Sequence, residues 1–413
     1  MQLGYTRPDL VAVMAETAAR LPHARPSMFD SPEAEGYREA LLRAAGPHFA
    51  RVLLTSSGSE AVEVAIKAAW WFQRARGAPH RREILSLAGH YHGATLAALD
   101  ATGYAARRAP FAGLLGERAF GPAAFCGDCL RGLKHPDCGR ASADAALERA
   151  DQAAAFLCET IPAAGLAAPV PPRGWMARIR ERCDAAGALW IADEVLTGFG
   201  RTGALFAWPR IEERDGAKSA PDLVVFGKGA SAGFYPLAGV LVSERVAEAL
   251  EHEEGGGFRH AQSFGGNPIA CAVGRKALQA YEEDGVFERV RRTETEARGA
   301  LEPLRENESV LDVRGLGFLW GVELASPSEG RPSFPRARCV AEKVAAGCRA
   351  RGVLVHAATG FNADGSGDAI LIAPPLVSEP EALATIAAAL REAVDVLLPR
   401  GDQRSWVEEW EDR

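Results

Sequence analysis

The 413-residue sequence is short of several things, and each absence narrows what the chain can be. It has no positive balance: 54 acidic against 47 basic residues leave a formal net charge of −7. That argues against a nucleic-acid or anionic-membrane role, where a basic face is expected. It has no apolar run long enough to span a membrane. Its opening, MQLGYTRPDL, lacks the basic-then-apolar pattern of a secretory leader. A soluble, cytoplasmic protein that binds neither nucleic acid nor membrane is therefore expected. Eight cysteines over this length do not make a disulfide scaffold, and most are expected as buried thiols. Repeats and long low-complexity tracts are missing too.

What is present is an alternation of short apolar runs and longer helical patterns. RVLLT (51–55) precedes a helix from about Ser59 to Arg76, and EILSL (83–87) precedes the turn GHYHGAT. AAFLC (154–158), LWIAD (189–193), DLVVF (222–226) and AGVLVS (238–243) read as buried strands, with a helix near 174–186. Strands alternating with helices predict an α/β fold with a mainly parallel sheet flanked by helices, and ligands then sit beyond the carboxyl ends of the strands. After about residue 280 the pattern changes. A long charged helical stretch (281–304) leads into strand-like VRGLGFLWGVEL, a helix near 336–351, the short strand GVLVH, the strand AILIA and a helix near 380–397. The organisation expected is a short N-terminal segment (1–30), a large domain (31–279) and a smaller α+β domain (280–413).

Four segments carry chemistry. In TSSGSEAVEVAIKAA (55–69) a strand gives way at Gly58 to a helix starting at Ser59, whose free N–H groups and dipole suit a phosphate. An ordinary N-cap reads the same way. In GHYHGAT (89–95), Tyr91 beside His92 can set a ring against a flat heterocycle, or be a tyrosine buried in a turn. In PDLVVFGKGASAGFYPLAG (221–239), Lys228 sits between glycines at the mouth of a strand. There a lysine losing solvation can form a Schiff base with an aldehyde cofactor; a solvated surface lysine is the other reading. In HAQSFGGNPIACAVG (260–274) a Gly-rich turn feeds a helix, and Ser263 offers a second phosphate ligand. A fifth segment, ALWIADEVLTGFGRTG (188–203), is a buried run that ends on two acids, Asp193 and Glu194.

In this order and spacing, the segments resemble the class III (ω-) aminotransferases, pyridoxal-5′-phosphate enzymes of fold type I, from Gly4 to about residue 395. DEVLTGFGRTG followed some thirty residues later by GKG is the most specific part of the likeness. The resemblance implies a seven-stranded-type, mainly parallel sheet. It implies that Lys228 holds the cofactor as an internal aldimine and moves the proton between substrate and cofactor. Asp193 would pair with the pyridine nitrogen, Val195 and Tyr91 would cover the two ring faces, and Gly58 and Ser59 would bind the phosphate. His92 and Glu159 would lie at the cofactor. Ser263 would reach the phosphate of a neighbouring subunit, which makes a homodimer with shared sites. The implied reaction moves an amino group from an amine or ω-amino acid to a keto acid such as pyruvate or 2-oxoglutarate. The same scaffold also supports racemases and aminomutases, and a cofactor-binding pseudoenzyme is a further alternative.

The sequence departs from the family in places. Leu196 stands where many members have a glutamine, and Thr160 follows Glu159 where a proline is usual. The glutamate and arginine that gate two-carboxylate substrates in ornithine- and 4-aminobutyrate-type members are replaced by Ala164 and Leu371. Joint loss is self-consistent, because a buried charge without its partner is costly, and it points to ω-amine or β-alanine-type donors. Family members carry some tens of residues ahead of the segment matching LGYTRPDL. Arg201 matches the family as a structural residue or a substrate contact. Finally, CGDCLRGLKHPDCG (126–139) brings Cys126, Cys129, Cys138 and His135 into one loop, which reads either as a structural loop with free thiols or a disulfide, or as ligands for zinc or an iron–sulfur cluster.

Overall fold

The computed structural model describes residues 2–26, 28–124, 140–251, 258–327, 333–362 and 364–398. Its centre is a six-stranded sheet made of β1 (Phe49–Thr55), β2 (Glu83–Leu85), β3 (Ala153–Glu159), β4 (Leu189–Asp193), β5 (Leu223–Phe226) and β6 (Ala238–Ser243), in the order β1-β6-β5-β4-β3-β2. β2 to β5 run parallel, and β6 alone is reversed, antiparallel to both β5 and β1. Among the described residues there is no seventh strand. Isolated bridges, Leu87 to Gly121 and Ala88 to Gly103, continue the β2 edge instead. β3 to β6 are buried along their whole length, as expected where helices cover both faces of a sheet. On one face, helix Gly58–Ala75 lays Ala61, Val62, Ala65, Ala68, Ala69 and Phe72 against Ile191, Val225 and Val240. These positions fall at three- and four-residue spacing, the stripe of an amphipathic helix. On the other face, Trp175, Met176 and Ile179 of helix Trp175–Ala186 pack on Phe156 and Trp190.

A second sheet is antiparallel throughout: β7 (Val310–Leu316), β8 (Leu319–Leu324), β9 (His356–Thr359) and β10 (Asp368–Ile372), in the order β7-β8-β10-β9. Three sequence expectations are corrected here. VRGLGFLWGVEL is a hairpin rather than one strand, because Gly317 turns the chain at φ 61°. The charged stretch 281–304 is broken: helix Pro268–Glu283 ends, Gly285 takes φ 57°, and a new helix runs Val286–Leu301. GVLVH is largely a helix exit, with the amides of Gly352 and Val353 donating back to Arg349 and Cys348, so the strand begins only at His356.

The two sheets share one buried cluster that includes Phe199, Phe226, Tyr281, Phe318, Trp320 and Leu390. Of the five cysteines described, Cys158, Cys183, Cys271 and Cys348 are buried free thiols, while Cys339 is half-buried. No helix among the described residues is long and apolar enough to cross a membrane.

Candidate functional site

The parallel strands end on one edge, and their carboxyl ends deliver the unusual residues together. β3 ends on Glu159 and β4 on Asp193, and the two are register partners. β4 pairs with β5 through Asp193 and Val225, three residues before Lys228. β1 ends at Thr55, leading through Ser56 and Ser57 into helix Gly58–Ala75.

That helix is capped by a reciprocal pair. Ser57 Oγ accepts from the Glu60 amide at 3.3 Å, and Glu60 Oε2 accepts from the Ser56 and Ser57 amides at 2.9 and 3.0 Å. Ala61 N donates to Ser57 O. Among the described residues, the amides of Gly58 and Ser59 are left unpaired. Two free donors at the positive end of a helix make an anion cradle. Val195 sits against it: a Cβ on Gly58 would lie 3.0 Å from Val195 Cγ1, and one on Gly227 3.5 Å from the same atom. Thus Gly58, Val195 and Gly227 converge beside Lys228. Ser59 Oγ turns toward the next loop and accepts from the Ala94 amide at 3.0 Å.

Asp193 is buried. Its Oδ2 lies 2.8 Å from His92 Nδ1, and its Oδ1 accepts from the Val195 amide at 3.1 Å. A carboxylate has about four lone-pair sites, so each oxygen can take one more donor. Facing a carboxylate, His92 carries its proton on Nδ1. The His92 amide is pinned in turn by Thr102 Oγ1 at 3.0 Å. Glu159 accepts from the amides of Tyr91 (2.9 Å) and Ala163 (3.2 Å), so it holds the Tyr91 backbone while the Tyr91 ring stays half-buried. Burial pushes the Glu159 carboxyl up to about 8, and the nearby Asp193 charge adds to the rise; the two amides and the Lys228 ammonium oppose it. Neutral His90 was not anticipated: burial holds its imidazole well below its usual range, and its Nδ1 accepts from the Glu159 amide at 3.0 Å.

The second acid, Glu194, serves the scaffold. It is fully buried, accepts from Thr160 Oγ1 at 2.8 Å and from Thr197 Oγ1, and takes the amides of Ala207 and Trp208 at 3.0 Å. Those amides open helix Ala207–Asp215. Burial raises this carboxyl, and its four donors oppose the rise. The departure at Thr160 is explained by the same contact, since proline could supply neither that hydroxyl nor the Thr160 N–H that donates to Asp193 O at 3.3 Å.

The remaining residues fall less centrally. Lys228 is exposed, so the loss of solvation expected of it is not found. Ser263 is exposed as well. Arg201 is structural here: it is buried and donates to Phe318 O at 3.3 Å and to Pro374 O, tying the GFGRTG loop to the second sheet. Burial lowers its guanidinium to about 10. Leu371 is buried in β10 among Ala163, Ala167 and Leu319, and Leu196 packs against the same cluster. Cys126, Cys129, His135 and Cys138 lie outside the described residues.

An aldehyde cofactor with an anionic tail and a ring nitrogen fits this edge: a lysine, a buried carboxylate with spare lone pairs and two free helix amides. Known proteins agree. Residues 1–394 match the model of the class-III aminotransferases. A probable aminotransferase of Mycobacterium tuberculosis is 33% identical over 95% of this chain and 83% of its own length. An omega-aminotransferase of Caulobacter vibrioides is 31% identical over 92% of this chain and 83% of its own. Among solved structures, an amine transaminase from an uncultivated Pseudomonas species in its PLP-bound form superposes with TM-score 0.85, at 29% identity, over 95% of this chain and 87% of that one. The chain belongs to the class-III aminotransferase family. It is a transaminase, an enzyme dependent on pyridoxal phosphate with the fold-type I architecture, and these relatives do not favour the racemase or pseudoenzyme readings.

Proposed function

We propose that this transaminase takes its amino group from an amine or ω-amino acid without a second carboxylate near the reacting carbon, and passes it to a keto acid such as pyruvate or 2-oxoglutarate. The observation that carries the donor class is the apolar character of both gate positions, Leu371 buried in β10 and Ala164 in the loop after β3. Neither gate side chain offers a donor carboxylate a cation, and an unpaired buried charge is costly.

Pyridoxal phosphate, when bound, supplies the aldehyde that receives the amino group and an electron sink for the donor's C–H bond. The chain supplies the rest. The Gly58 and Ser59 amides hold the phosphate at the helix start. Asp193, braced by His92, accepts the ring N–H and favours its cationic form. Val195, wedged against Gly58, covers one ring face, and Tyr91, its backbone set by Glu159, covers the other. Lys228 Nζ carries the cofactor and takes and returns the donor's proton. Ser263 is exposed, beside Phe264 at 59% exposure. This supports a homodimer in which Ser263 contributes to the partner's phosphate site and the partner covers Lys228.

The test is to load the protein with pyridoxal phosphate and add donors one at a time, following the visible band. Simple primary amines should bleach it at least about tenfold faster than ornithine or 4-aminobutyrate, since tenfold takes only about 1.4 kcal/mol of the cost of an unpaired buried charge. The reverse order would overturn the donor class. Return of the band with a keto acid identifies the acceptor.

A further inference from the structure

Directly behind the lysine turn sits a buried polar trio that no sequence motif contains. Lys228 has φ 37°, a left-handed backbone that a side-chain-bearing residue adopts only when its surroundings hold it there. The turn's own bonds are local: Ala230 N donates to Gly227 O and Ala232 N to Gly229 O, both at 2.9 Å. One side chain from outside hydrogen-bonds to the Gly229 carbonyl. Tyr281, buried on helix Pro268–Glu283, places its hydroxyl 2.9 Å from Gly229 O. The same hydroxyl lies 2.7 Å from Gln2 Oε1. A phenol has one proton, so two acceptors compete for it.

Gln2 is held on its other sides. Its Nε2 donates to Gly198 O at 3.2 Å, within the loop that follows Asp193, and its carbonyl accepts from the Leu376 amide at 2.8 Å. Its amide lies flat on the lysine turn: a Cβ on Gly229 would come within 2.1 Å of Gln2 Oε1. Burial keeps the Tyr281 phenol protonated, as a donor must be.

We infer that Tyr281 is a positioning residue for Lys228, its hydroxyl fixing the Gly229 carbonyl, and that Gln2 is the competing acceptor that sets how much of that proton the turn receives. The inference rests on Lys228 being the cofactor lysine.

Three variants of the cofactor-loaded enzyme test it. Tyr281→Phe keeps the ring packing on Phe287 and Phe199, at 5.9 and 6.3 Å between centroids, but removes the donor. It should lower kcat about tenfold with donor KM within about twofold, as one lost hydrogen bond of this kind does. It should also move the pH midpoint of the visible band by about half a unit or more. Gln2→Met removes the competing acceptor, leaves the proton to Gly229 O, and should give kcat at or above the wild-type value, with any shift of the midpoint opposite to that in Tyr281→Phe. Gln2→Glu installs a stronger acceptor, should reproduce the loss, and carries the test if Tyr281→Phe does not accumulate folded. Melting temperatures are recorded for each. Wild-type kcat and midpoint in Tyr281→Phe would overturn the inference, as would losses in Gln2→Met and Gln2→Glu that are equal and track melting temperature. A wild-type protein that forms no visible band would overturn the Lys228 reading itself, a separate outcome.

Discussion

Asp193 and Glu194 are adjacent in the sequence and face different tasks, and the difference is set by what surrounds each carboxylate. Asp193 keeps spare lone pairs toward the open edge, whereas Glu194 is fully engaged by two hydroxyls and two amides. Glu159 makes a prediction at this scale. Its folded-state pKa is raised from 4.5 to about 8, so the folded protein holds a proton that the unfolded chain releases. That contribution is complete below pH 4.5 and is lost as pH rises to about 8. For the cofactor-free protein, the urea midpoint should therefore fall across that window in wild type, and Glu159→Gln should flatten the fall. A wild-type midpoint that rises over the same range would contradict it. The places of Lys228 and Asp193 at strand ends were legible from the sequence because an apolar strand ending on a charged residue is a local pattern. Tyr281 and Gln2 were not, since they meet across 279 residues and neither stands in a run that calls for chemistry. His90 was hidden by the more conspicuous Tyr91 and His92 beside it.

At the scale of elements, buried strands read most directly, because β3 to β6 are apolar along their length and the sequence shows this without context. Boundaries read less well where a glycine decides. Gly285 splits what looks like one long helix, Gly317 folds one apparent strand into a hairpin, and Gly352 extends a helix exit into an apparent strand. Helix Ala207–Asp215 escaped notice because its N-terminal cap comes from Glu194, thirteen residues upstream of Ala207, rather than from an adjacent side chain. Glu194→Ala should therefore cost about 2–3 kcal/mol, the price of leaving the Ala207 and Trp208 amides unpaired in the interior. Urea denaturation measures it; a change under about 0.5 kcal/mol, the range of ordinary surface substitutions, would show that the cap is dispensable.

Across the whole molecule, the two sheets are joined by arginines that donate to main-chain carbonyls. Arg201 reaches Phe318 O and Pro374 O, and Arg314 on β7 reaches Leu166 O and Ala167 O, at 2.8 and 3.2 Å, while pairing with Glu323. Both side chains of the Arg314–Glu323 pair are 9% exposed. Arg314→Ala should destabilise by about 3 kcal/mol or more, because Glu323 is left as a buried charge. Arg314→Ala with Glu323→Ala together should recover part of that loss, and a double variant no more stable than the single one would contradict the pairing argument. If Ser263 serves a partner's site, sedimentation should give about 88 kDa, twice the 43.9 kDa chain, for the cofactor-loaded protein. A monomer that still turns over would count against shared sites.

The assignment of Lys228 is the point on which the chemistry turns, and the chain has six lysines, so it can be tested by location. The measurement is borohydride reduction of the pyridoxal-phosphate-loaded protein, digestion, and mass spectrometry of the peptides. The phosphopyridoxyl group should be found on the peptide carrying Lys228, and Lys228→Ala should carry none. The group on Lys67, Lys218 or any other lysine, or an unchanged yield in Lys228→Ala, would contradict the site described above.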